Sequence, residues 1–544
     1  ARSTALVLDG VPTIRRDGDG VFAGTRTARA AGPCLLLGGE LPVGRSWSDA
    51  RHPRSAVGIK RSGNVVLVTV DGRSEQAAGM TLEELALTMR ALGCHDALNL
   101  DGGGSTTLWL SGAPGNGIVN HPCDDKVFDQ GGERPVADAL LVFAEPDIAE
   151  PAVDAEELRR RVGQDFALTR EQLVDQLRRR VRDFRAEELD GWIERGLIDS
   201  IATADGLRFH GPAVSNLFFR DAAARARRVR GSTWSAMPTA TDTLVFDVKV
   251  KLTVKADVVP AGETVRAWLP FPQEYEHQRV LQAEHDAPPA PMRSVYLEQR
   301  AVAGAPVVFA TSYRIERRGI SALEGDVSRA RLPASSAFTE QRPPHVIGSP
   351  ELAALANQIA GDETNPLRVA RGFYDWCADN LGYSYAREYS TIDCIPEQVL
   401  RWRRGDCGQL TLFFMTLCRL RGIPARWQSG WVIRPGQENL HDWCEIRIEP
   451  WGWIPIDVNT AVETNHADGL DAAERRAILD FAFGSLDTFR LVVNRDHARP
   501  LVPPKRSPRS DDVDFQRGEV EWGTPARNVY YGQFSCSLDV EVVR

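Results

Sequence analysis

The apolar residues that follow Cys407 recur at the spacing of an α-helix. The run ends at Gly422 and Pro424, two residue types that terminate helices. Cys407 is therefore predicted to be the first residue of a helix. The apolar face of this helix carries Leu410, Phe413, Phe414, Leu417 and Leu420.

Three short stretches after this helix are rich in aromatic and branched residues, as strands are. They cover residues 425–431, 441–448 and 453–458, and they are separated by Pro435-Gly436 and by Pro450-Trp451-Gly452. The pattern predicts three antiparallel strands. Because neighbouring strands lie about 4.8 Å apart, such a sheet brings side chains from different strands together on one face.

Residues 246–254 alternate between apolar and polar side chains, which is typical of a strand with one wet face. Further strands are predicted at 265–269, 294–298 and 307–315, and 535–543 is also strand-like. The first four of these segments together predict a small β-sandwich. Two helices are predicted downstream of them, at 350–360 and 365–380.

The chain between the N-terminal quarter and the predicted sandwich has two parts. Residues 144–156 are acidic and contain Pro146 and Pro151, so they are predicted to be a linker. Residues 158–198 carry an apolar stripe at helical spacing, with arginines on the other face. Because Glu and Asp are interleaved with these arginines, a solvated helix face is favoured over a nucleic-acid-binding patch.

Composition limits the functions that the chain can have. Its 544 residues, 43% of them hydrophobic, are enough for three or four domains. The net charge of -9 does not favour binding to nucleic acid or to an anionic membrane. The longest apolar runs fall well short of the roughly 20 residues that span a membrane. The nine cysteines lack the spacing of a zinc site. We therefore expect no membrane span, no metal and no cofactor.

Three motifs supply the residue types of a thiol active site. They are Arg404-Gly405-Asp406-Cys407-Gly408, His441-Asp442-Trp443-Cys444-Glu445 and Gly452-Trp453-Ile454-Pro455-Ile456-Asp457. A thiol attacks a carbonyl carbon as thiolate, so it requires an imidazole that takes its proton and a carboxylate that orients the imidazole. In the first turn of a helix, unpaired N–H groups and the helix dipole favour a thiolate and can bind a developing oxyanion.

These motifs, with Arg421-Gly422-Ile423-Pro424-Ala425-Arg426, resemble those of the transglutaminase-like superfamily, whose core is papain-like and α+β. The resemblance implies that Cys407 is the nucleophile, His441 the general base and acid, and Asp457 the orienting carboxylate. It also implies attack on an amide or peptide bond through an acyl-thioester. Hydrolysis of that thioester is the first choice, and transfer to an amine stays open.

The other polar and thiol residues near these motifs have structural explanations. Asp406 is expected to cap the helix and Asp442 to be a solvated strand residue, since an adjacent carboxylate would raise the pKa of a thiol. Cys377, Cys418 and Cys444 lie in apolar patterns and are expected in the core. The second oxyanion donor stays unassigned, with upstream aromatic residues at Tyr383, Tyr385 and Trp402.

Another candidate site lies in the first quarter of the chain. Residues 81–92 predict a helix, with Thr81 and Glu84 as a capping box. The run Gly102-Gly103-Gly104 then follows a predicted strand. Successive glycines allow backbone N–H groups to point into one concavity, which suits a phosphate. A tight turn without a ligand is the commoner explanation of such a run on its own.

The residues around this run favour a ligand site over a turn without a ligand. With His52-Pro53-Arg54, Val70-Asp71-Gly72-Arg73, Asn120-His121-Pro122 and Glu133-Arg134, the run resembles the phosphodiester glycosidase family over about residues 1–145. The resemblance implies cleavage of the bond between an anomeric carbon and a phosphodiester oxygen. This chemistry requires cations or N–H groups on the phosphate and a carboxyl group at the anomeric centre.

The candidate residues of this site follow from that requirement. The candidate acids and bases are Asp71, Asp101 and Glu133, with their roles left open. The candidates for substrate binding are Arg54, Arg73, Asn99, Gly102, Gly103, Gly104, Ser105, Asn120 and Arg134. Surface ion pairs and turn hydrogen bonds are the structural alternatives. The family carries an Asn-Gly-Gly-Phe-Phe-like stretch before the His-Pro-Arg segment, and this chain starts too late to contain it. We expect an incomplete N-terminal domain, which binds rather than cleaves if pocket residues are missing.

The sequence thus predicts a multidomain α+β protein that is a bifunctional hydrolase. Its substrates would be a peptide or amide compound and a glycosyl phosphodiester, and an extracytoplasmic location is slightly favoured. Two alternatives stay open: an amine-accepting transglutaminase, and a glycoconjugate- or peptide-binding protein with inactive sites. The predicted domains are a phosphodiester-glycosidase-like domain at 1–145, an acidic linker and helical region at 146–238, a β-sandwich at 239–340 and a transglutaminase-like domain at 341–544.

Overall fold

The computed structural model contains two compact units. One comprises residues 1–143 and 341–347, and the other comprises residues 144–340 and 348–544. The predicted linker at 144–156 lies mostly outside the described residues. The described residues are 4–7, 13–16, 28–43, 47–61, 65–109, 118–136, 140, 153–203, 205–229, 242–335, 337–467 and 469–543.

The described residues of the N-terminal unit form two antiparallel sheets, one α-helix and a short 3-10 helix at Gly103–Ser105. The strands and the α-helix are β1 (Thr4–Val7), β2 (Thr13–Arg16), β3 (Ala28–Ala30), β4 (Cys34–Leu36), β5 (Arg54–Lys60), β6 (Val65–Val70), α1 (Leu82–Ala91) and β7 (Cys94–Asn99). The strand orders are β2-β1-β3 and β4-β7-β5-β6. The predicted capping box is confirmed, because Glu84 N donates to Thr81 Oγ1 at 3.1 Å and Thr81 N donates to Glu84 Oε2 at 2.9 Å. Because the glycine run closely follows β7, it lies near the end of this inner strand of the larger sheet.

A mostly helical segment begins the second unit. It contains α2 (Ala155–Asp165), α3 (Arg170–Arg180), α4 (Glu188–Glu194), β8 (Ser200–Thr203), β9 (Gly206–Phe209), α5 (Ala213–Arg220) and α6 (Ala222–Ala226). The predicted solvated arginine face is wrong at Arg161, which is only 2% exposed. Its guanidinium donates to Glu157 at 2.7 Å and to Ser390 Oγ at 2.8 Å. Burial is possible there because the charge is paired and hydrogen-bonded.

The predicted sandwich strands are confirmed and one further strand lies among them. The predicted strands are β10 (Thr243–Val254), β11 (Thr264–Pro270), β13 (Ser294–Arg300) and β14 (Val307–Arg318), and the further strand is β12 (Gln278–Ala283). The short β15 (Ile320–Ser321) follows outside the two sandwich sheets. The alternation predicted for β10 corresponds to a row of buried side chains facing the sandwich core. These are Phe246, Val248, Val250, Leu252 and Val254.

The remaining elements build the thiol-bearing core and then return to the sandwich. The helices are α7 (Pro350–Ala360), α8 (Pro366–Asn380), α9 (Ile395–Trp402), α10 (Cys407–Leu420), α11 (Val458–His466) and α12 (Ala472–Ala482). The strands are β16 (Gly382–Tyr383), β17 (Arg404–Gly405), β18 (Ala425–Val432), β19 (Asn439–Ile448), β20 (Gly452–Ile456), β21 (Ser485–Leu486), β22 (Arg490–Asn494), β23 (Glu519–Trp522), β24 (Arg527–Val529) and β25 (Phe534–Val542).

Strands from the end of the chain complete the sandwich, which was predicted to end at residue 340. Its sheets have the orders β12-β14-β10-β25 and β13-β11-β23-β24. β25 pairs with β10 along the whole length from Phe246 opposite Val542 to Val254 opposite Phe534. The sequence identified β25 as a strand but not its partner, because pairing between distant segments leaves no local pattern.

The three antiparallel strands predicted after α10 are confirmed as one sheet of order β20-β19-β18-β22. Helix α10 packs on β18 and β19, and its first residue is Cys407, as predicted. The protein is therefore a multidomain α+β protein, as predicted. In the part of the chain that the structure describes, no helix combines the length and apolar character needed to cross a membrane.

Candidate active sites

Cys407 lies in the first turn of α10, directly after the residue that caps it. Asp406 accepts a hydrogen bond from Gln409 N at 3.0 Å and forms a capping box, so its predicted role as a cap is confirmed. The Tyr389 hydroxyl also donates to Asp406. Gly408 is required here, since a Cβ at that position would lie 2.4 Å from Tyr389 Oη. The local fold therefore depends on a small residue next to the thiol.

The thiol is bonded to a residue for which no chemistry was predicted. Cys407 Sγ donates to Asp442 Oδ2 at 3.0 Å. The prediction that Asp442 is solvated is wrong, because it is 5% exposed and Gln516 Nε2 donates to its other oxygen at 2.8 Å. Asp442 shares a strand face with Cys444, and Thr411 of α10 donates to the backbone oxygen of Asp442. The helix therefore covers the face that carries Asp442.

The predicted imidazole and carboxylate do meet. His441 Nε2 lies 2.9 Å from Asp457 Oδ2. Asp457 caps α11 by accepting from Thr460 N at 2.9 Å, and Arg490 Nη2 lies 2.9 Å from its Oδ2. These donors fix the carboxylate and, through it, the ring orientation of His441. The bond at Nε2 leaves Nδ1 as the ring nitrogen that can accept a proton from a thiol.

The structure does not bring the thiol to this imidazole. Among the hydrogen bonds of the described residues, none joins Cys407 to His441. Successive side chains of a strand point to opposite faces, so His441 and the Asp442 side chain that binds the thiol project from opposite faces of β19. His441 shares its face with Trp443, whose ring is stacked 6.0 Å away. The predicted triad is therefore present as a His441–Asp457 pair and a separate Cys407–Asp442 pair.

The electrostatics of the two pairs describe a resting, protonated thiol. Burial and the carboxylates of Asp442 and Asp406 raise the pKa of the Cys407 thiol well above its usual range, whereas the sequence favoured a thiolate there. Burial and the nearby Asp514 charge also raise the pKa of Asp442. Burial lowers the pKa of His441. At neutral pH, thiol and imidazole are therefore both uncharged in this arrangement.

The pKa of the orienting carboxylate, Asp457, is lowered and not raised. Burial alone would raise the pKa of Asp457, but the charges of His441 and Arg490 hold it below its usual value. Asp457 is therefore ionised at neutral pH, as an orienting carboxylate must be. Among the three upstream aromatic residues, Tyr383 lies close enough to Cys407 that a thiolate there would add to burial in raising the pKa of the phenol.

Three residues that contact these pairs were not found from the sequence. Arg490 binds Asp457, Gln516 binds Asp442, and Tyr389 binds Asp406. Arg490 and Gln516 are far from the motifs along the chain, and no local pattern marks them. The sequence feature that could have drawn attention to such contacts is that Asp442, which Gln516 binds, directly follows His441 in the motif.

In the N-terminal unit, most of the predicted binding residues line one cavity of about 590 Å³. Arg54 and Arg73 lie close enough that Arg73, after burial, lowers the pKa of Arg54. Arg73 Nη2 also lies 3.2 Å from His52 Nδ1. The described lining residues predicted from the sequence are Arg54, Arg73, Asn99, Asp101, Gly102, Gly103, Gly104 and Arg134.

The glycine run allows other residues to pack closely against its backbone, but two of its N–H groups are already hydrogen-bonded within the protein. This corrects the prediction that the N–H groups of the run point together into a concavity for a phosphate. Gly102 N donates to Asp101 Oδ1 at 2.9 Å and Gly103 N donates to Pro53 O at 3.0 Å, so both groups are already bonded. A Cβ at Gly104 would lie 1.9 Å from Asp124 Oδ1, and Gly103 has a φ of 66°. The positive charge that an anion would meet therefore comes from the arginines.

Four predicted residues lie outside the described lining of the cavity. Asp71 accepts from His121 N at 2.9 Å and from Asn120 Nδ2 at 3.2 Å. Asn120 in turn accepts from Leu108 N at 2.7 Å, so both residues join loops of the unit. The other two are Glu133 and Ser105. Asp101 is thus the carboxylate that the described lining contributes.

Neither site shows a metal-binding arrangement in the described ranges. No group of three or more His, Cys, Asp or Glu side chains within them is placed to bind a metal ion.

Comparison with known proteins identifies both parts of the chain. Residues 2–143 match the family model of phosphodiester glycosidases, and residues 353–458 match that of the transglutaminase-like superfamily. The SPbeta prophage-derived uncharacterized protein YomE of Bacillus subtilis is 35% identical over 99 residues, covering 18% of this chain and 14% of that protein. N-acetylglucosamine-1-phosphodiester alpha-N-acetylglucosaminidase of Mus musculus is 40% identical over 75 residues, covering 14% of each.

This chain thus spans only a small part of those two relatives. Among solved structures, the periplasmic domain of TgpA from Pseudomonas aeruginosa is 16% identical with a TM-score of 0.24, covering 43% of this chain and 92% of that one. The family matches are the informative result. The chain joins a domain of the phosphodiester glycosidase family, at residues 2–143, to a domain of the transglutaminase-like superfamily, at residues 353–458.

Proposed function

We propose that the chain is a bifunctional enzyme, in which the N-terminal domain hydrolyses a glycosyl phosphodiester and the C-terminal domain cleaves or exchanges an amide through Cys407. The observation that carries the first activity is the convergence of Arg54, Arg73 and Arg134 on one cavity. Arg134 is bidentate on Asp124, with Nη2 at 3.0 Å from Oδ1, whereas Arg54 and Arg73 both line the cavity, and burial and the charge of Arg73 lower the pKa of Arg54. A bound phosphodiester would relieve the repulsion between these two cations.

The same cavity also offers groups for a sugar. Asn99 is 7% exposed, and its Oδ1 has no hydrogen-bond partner among the described residues, while its Nδ2 donates to Gly32 O and Leu100 O. A sugar hydroxyl would satisfy this buried acceptor. Asp101 is the proposed acid or base at the anomeric centre, where the bond from anomeric carbon to phosphate oxygen breaks and water adds to the carbon.

Arg73→Gln is expected to lower kcat/KM for a sugar-1-phosphodiester by about 10²- to 10³-fold, because it removes one cation that neutralises the phosphate as the bond breaks. The measurement is release of free N-acetylglucosamine from an N-acetylglucosamine-1-phosphodiester. Arg51→Gln is the matched control, since Arg51 is an exposed arginine of the same unit that pairs with Glu84 and does not line the cavity.

Two results would decide against the glycosidase proposal. If the unaltered chain binds the phosphodiester and releases no sugar, the N-terminal domain is a binding domain. If Arg51→Gln and Arg73→Gln reduce release equally, the cavity is not the site.

The observation that carries the second activity is the 2.9 Å contact between His441 and an ionised Asp457 in a domain whose central helix begins at Cys407. In the proposed working state, the thiol leaves Asp442 and gives its proton to His441 Nδ1. This exchange needs a rearrangement at the first residues of β19. The thiolate then attacks the amide carbon, the amine leaves with the proton from His441, and water or a second amine cleaves the thioester.

An acyl adduct on Cys407 is the expected product of incubating the chain with peptides derived from the cell envelope. Intact-mass and peptide-mass measurements would locate the added mass. Adding a primary amine separates the two second steps: a new amide product indicates transfer, and unchanged release of free acid indicates hydrolysis. Peptide binding with no adduct and no product would support the alternative of a binding protein with an inactive thiol site.

A further inference from the structure

Another cavity, of about 540 Å³, lies beside the first residues of β19. Its lining includes Asn439, Leu440, Arg517, Tyr531, Phe534 and Leu538. Leu440 directly precedes His441, so the cavity adjoins the strand that carries the imidazole and Asp442. Its apolar wall comes from Leu440, Phe534 and Leu538.

The segment that carries Arg517 is anchored to the candidate thiol site. Gln516 Nε2 donates to His441 O at 2.7 Å and to Asp442 Oδ1 at 2.8 Å. Trp431 Nε1 donates to Gln516 O at 3.0 Å. The backbone of residue 516 is therefore fixed against β18 and β19, and the next residue, Arg517, is presented at the cavity.

Arg517 has a guanidinium group that is oriented by an aromatic ring. Although burial opposes its charge, the nearby charges of Tyr531, Asp511 and Asp514 raise its pKa. The guanidinium lies 5.0 Å from the centroid of the Tyr531 ring, and the residue is exposed. Within the described ranges, it forms no hydrogen bond or ion pair with a carboxylate. Stacking on an aromatic face leaves the planar fork of N–H donors available to a ligand. Its charge also opposes the burial that raises the pKa of Asp406 to about 6, which indicates that Arg517 lies near the start of α10.

We infer that this cavity binds a peptide with a free carboxylate, and that Arg517 recognises the carboxylate while the apolar wall contacts the neighbouring side chain. This inference rests on the proposed acyl-transfer function and assigns its substrate class. A planar guanidinium matches a carboxylate in a bidentate manner, which a carboxamide cannot reproduce. Glu438 also lines the cavity and accepts a hydrogen bond from Gly436 N at 2.8 Å.

The test compares N-acetyl-Ala-Gln-Leu, which has a free carboxylate, with the same peptide as its carboxamide. Binding is measured by calorimetry on the full chain carrying Cys407→Ala, so that no turnover occurs. The carboxylate is expected to bind about 10- to 100-fold more tightly. Arg517→Gln is expected to remove this difference, and Arg517→Lys to keep part of it. Arg527→Gln is the matched control, because Arg527 is also exposed and stacks 5.1 Å from the Trp522 centroid.

Equal binding of the two peptides, no binding of either, or a difference that survives Arg517→Gln would each overturn the inference. Adduct formation at Cys407 in the unaltered chain distinguishes this failure from failure of the proposed function. With a substrate that turns over, Arg517→Gln is expected to raise KM about 10- to 100-fold and to leave kcat unchanged, as for a group that binds ground state and transition state equally.

Discussion

Replacing Cys407 with alanine is expected to lower amide hydrolysis or transfer by at least about 10⁴-fold, because no other group can form the acyl-thioester. Release of sugar from the phosphodiester is expected to stay unchanged, since its proposed residues lie in the N-terminal domain. Both reactions can be measured on the same preparation, as product release from a glutamine-containing peptide and from an N-acetylglucosamine-1-phosphodiester.

Cys123→Ala is the matched control for this variant. Cys123 is a half-exposed thiol of the N-terminal unit and has no proposed role in acyl transfer. Amide turnover that persists in Cys407→Ala, or that is lost equally in Cys123→Ala, would remove Cys407 as the nucleophile.

Asp457→Asn is expected to reduce amide turnover by about 10⁴-fold, because an amide in place of the carboxylate favours the wrong tautomer of His441. It is also expected to lower the free energy of unfolding by about 3–5 kcal/mol at pH 7, since Arg490 is left as a buried charge with one partner fewer. Kinetics and urea unfolding of the second unit measure the two effects.

The stability effect of this substitution depends on pH in a defined direction. The pKa of Asp457 is lower in the folded chain than in the unfolded one, so its ionised form stabilises the fold above about pH 4, and this stabilisation is lost as pH falls further. The difference between parent and Asp457→Asn is therefore expected to shrink in acid. Asp480→Asn is the control, because Asp480 is itself exposed and its ion pair with the exposed Arg476 contributes at most about 1 kcal/mol. A difference that is constant with pH would contradict an ionised Asp457.

The Cys407–Asp442 pair determines what must happen before the thiol can react. A thiol that donates to a buried carboxylate keeps its proton, and the nearby Asp406 reinforces this. Proton transfer to His441 therefore requires the thiol to change partners. The cavity beside Leu440 adjoins the part of β19 where that change must occur, so a ligand bound there is suited to promote it.

Several elements were predictable because their causes are local. The capping box of Thr81 and Glu84 is a short-range exchange of two hydrogen bonds. The helix from Cys407 follows from apolar spacing and its terminators, and the β10 strand from strict alternation. The His441–Asp457 contact was also predicted, but Asp457 lies just beyond β20 as the N-cap of α11 and not within the predicted strand.

The remaining features depend on contacts between distant parts of the chain. Arg161 was expected on a wet helix face and is buried because Glu157 and Ser390 bind it. Asp71, a candidate acid, binds Asn120 and His121, two partners about 50 residues away that the sequence did not specify. In each case, the residue type permits both a surface role and a bonded one, and the partner decides between them.

By itself, the sequence determined the two families, the order of the main helices and strands, and the residue types available for catalysis, because motifs and periodicity are properties of neighbouring residues. Only the tertiary structure decided that β25 completes the sandwich, that Arg54 and Arg73 share a cavity, and that the thiol of Cys407 binds Asp442. The physical reason is that pairing, burial and charge interactions depend on distances in space between segments, which spacing along the chain does not specify.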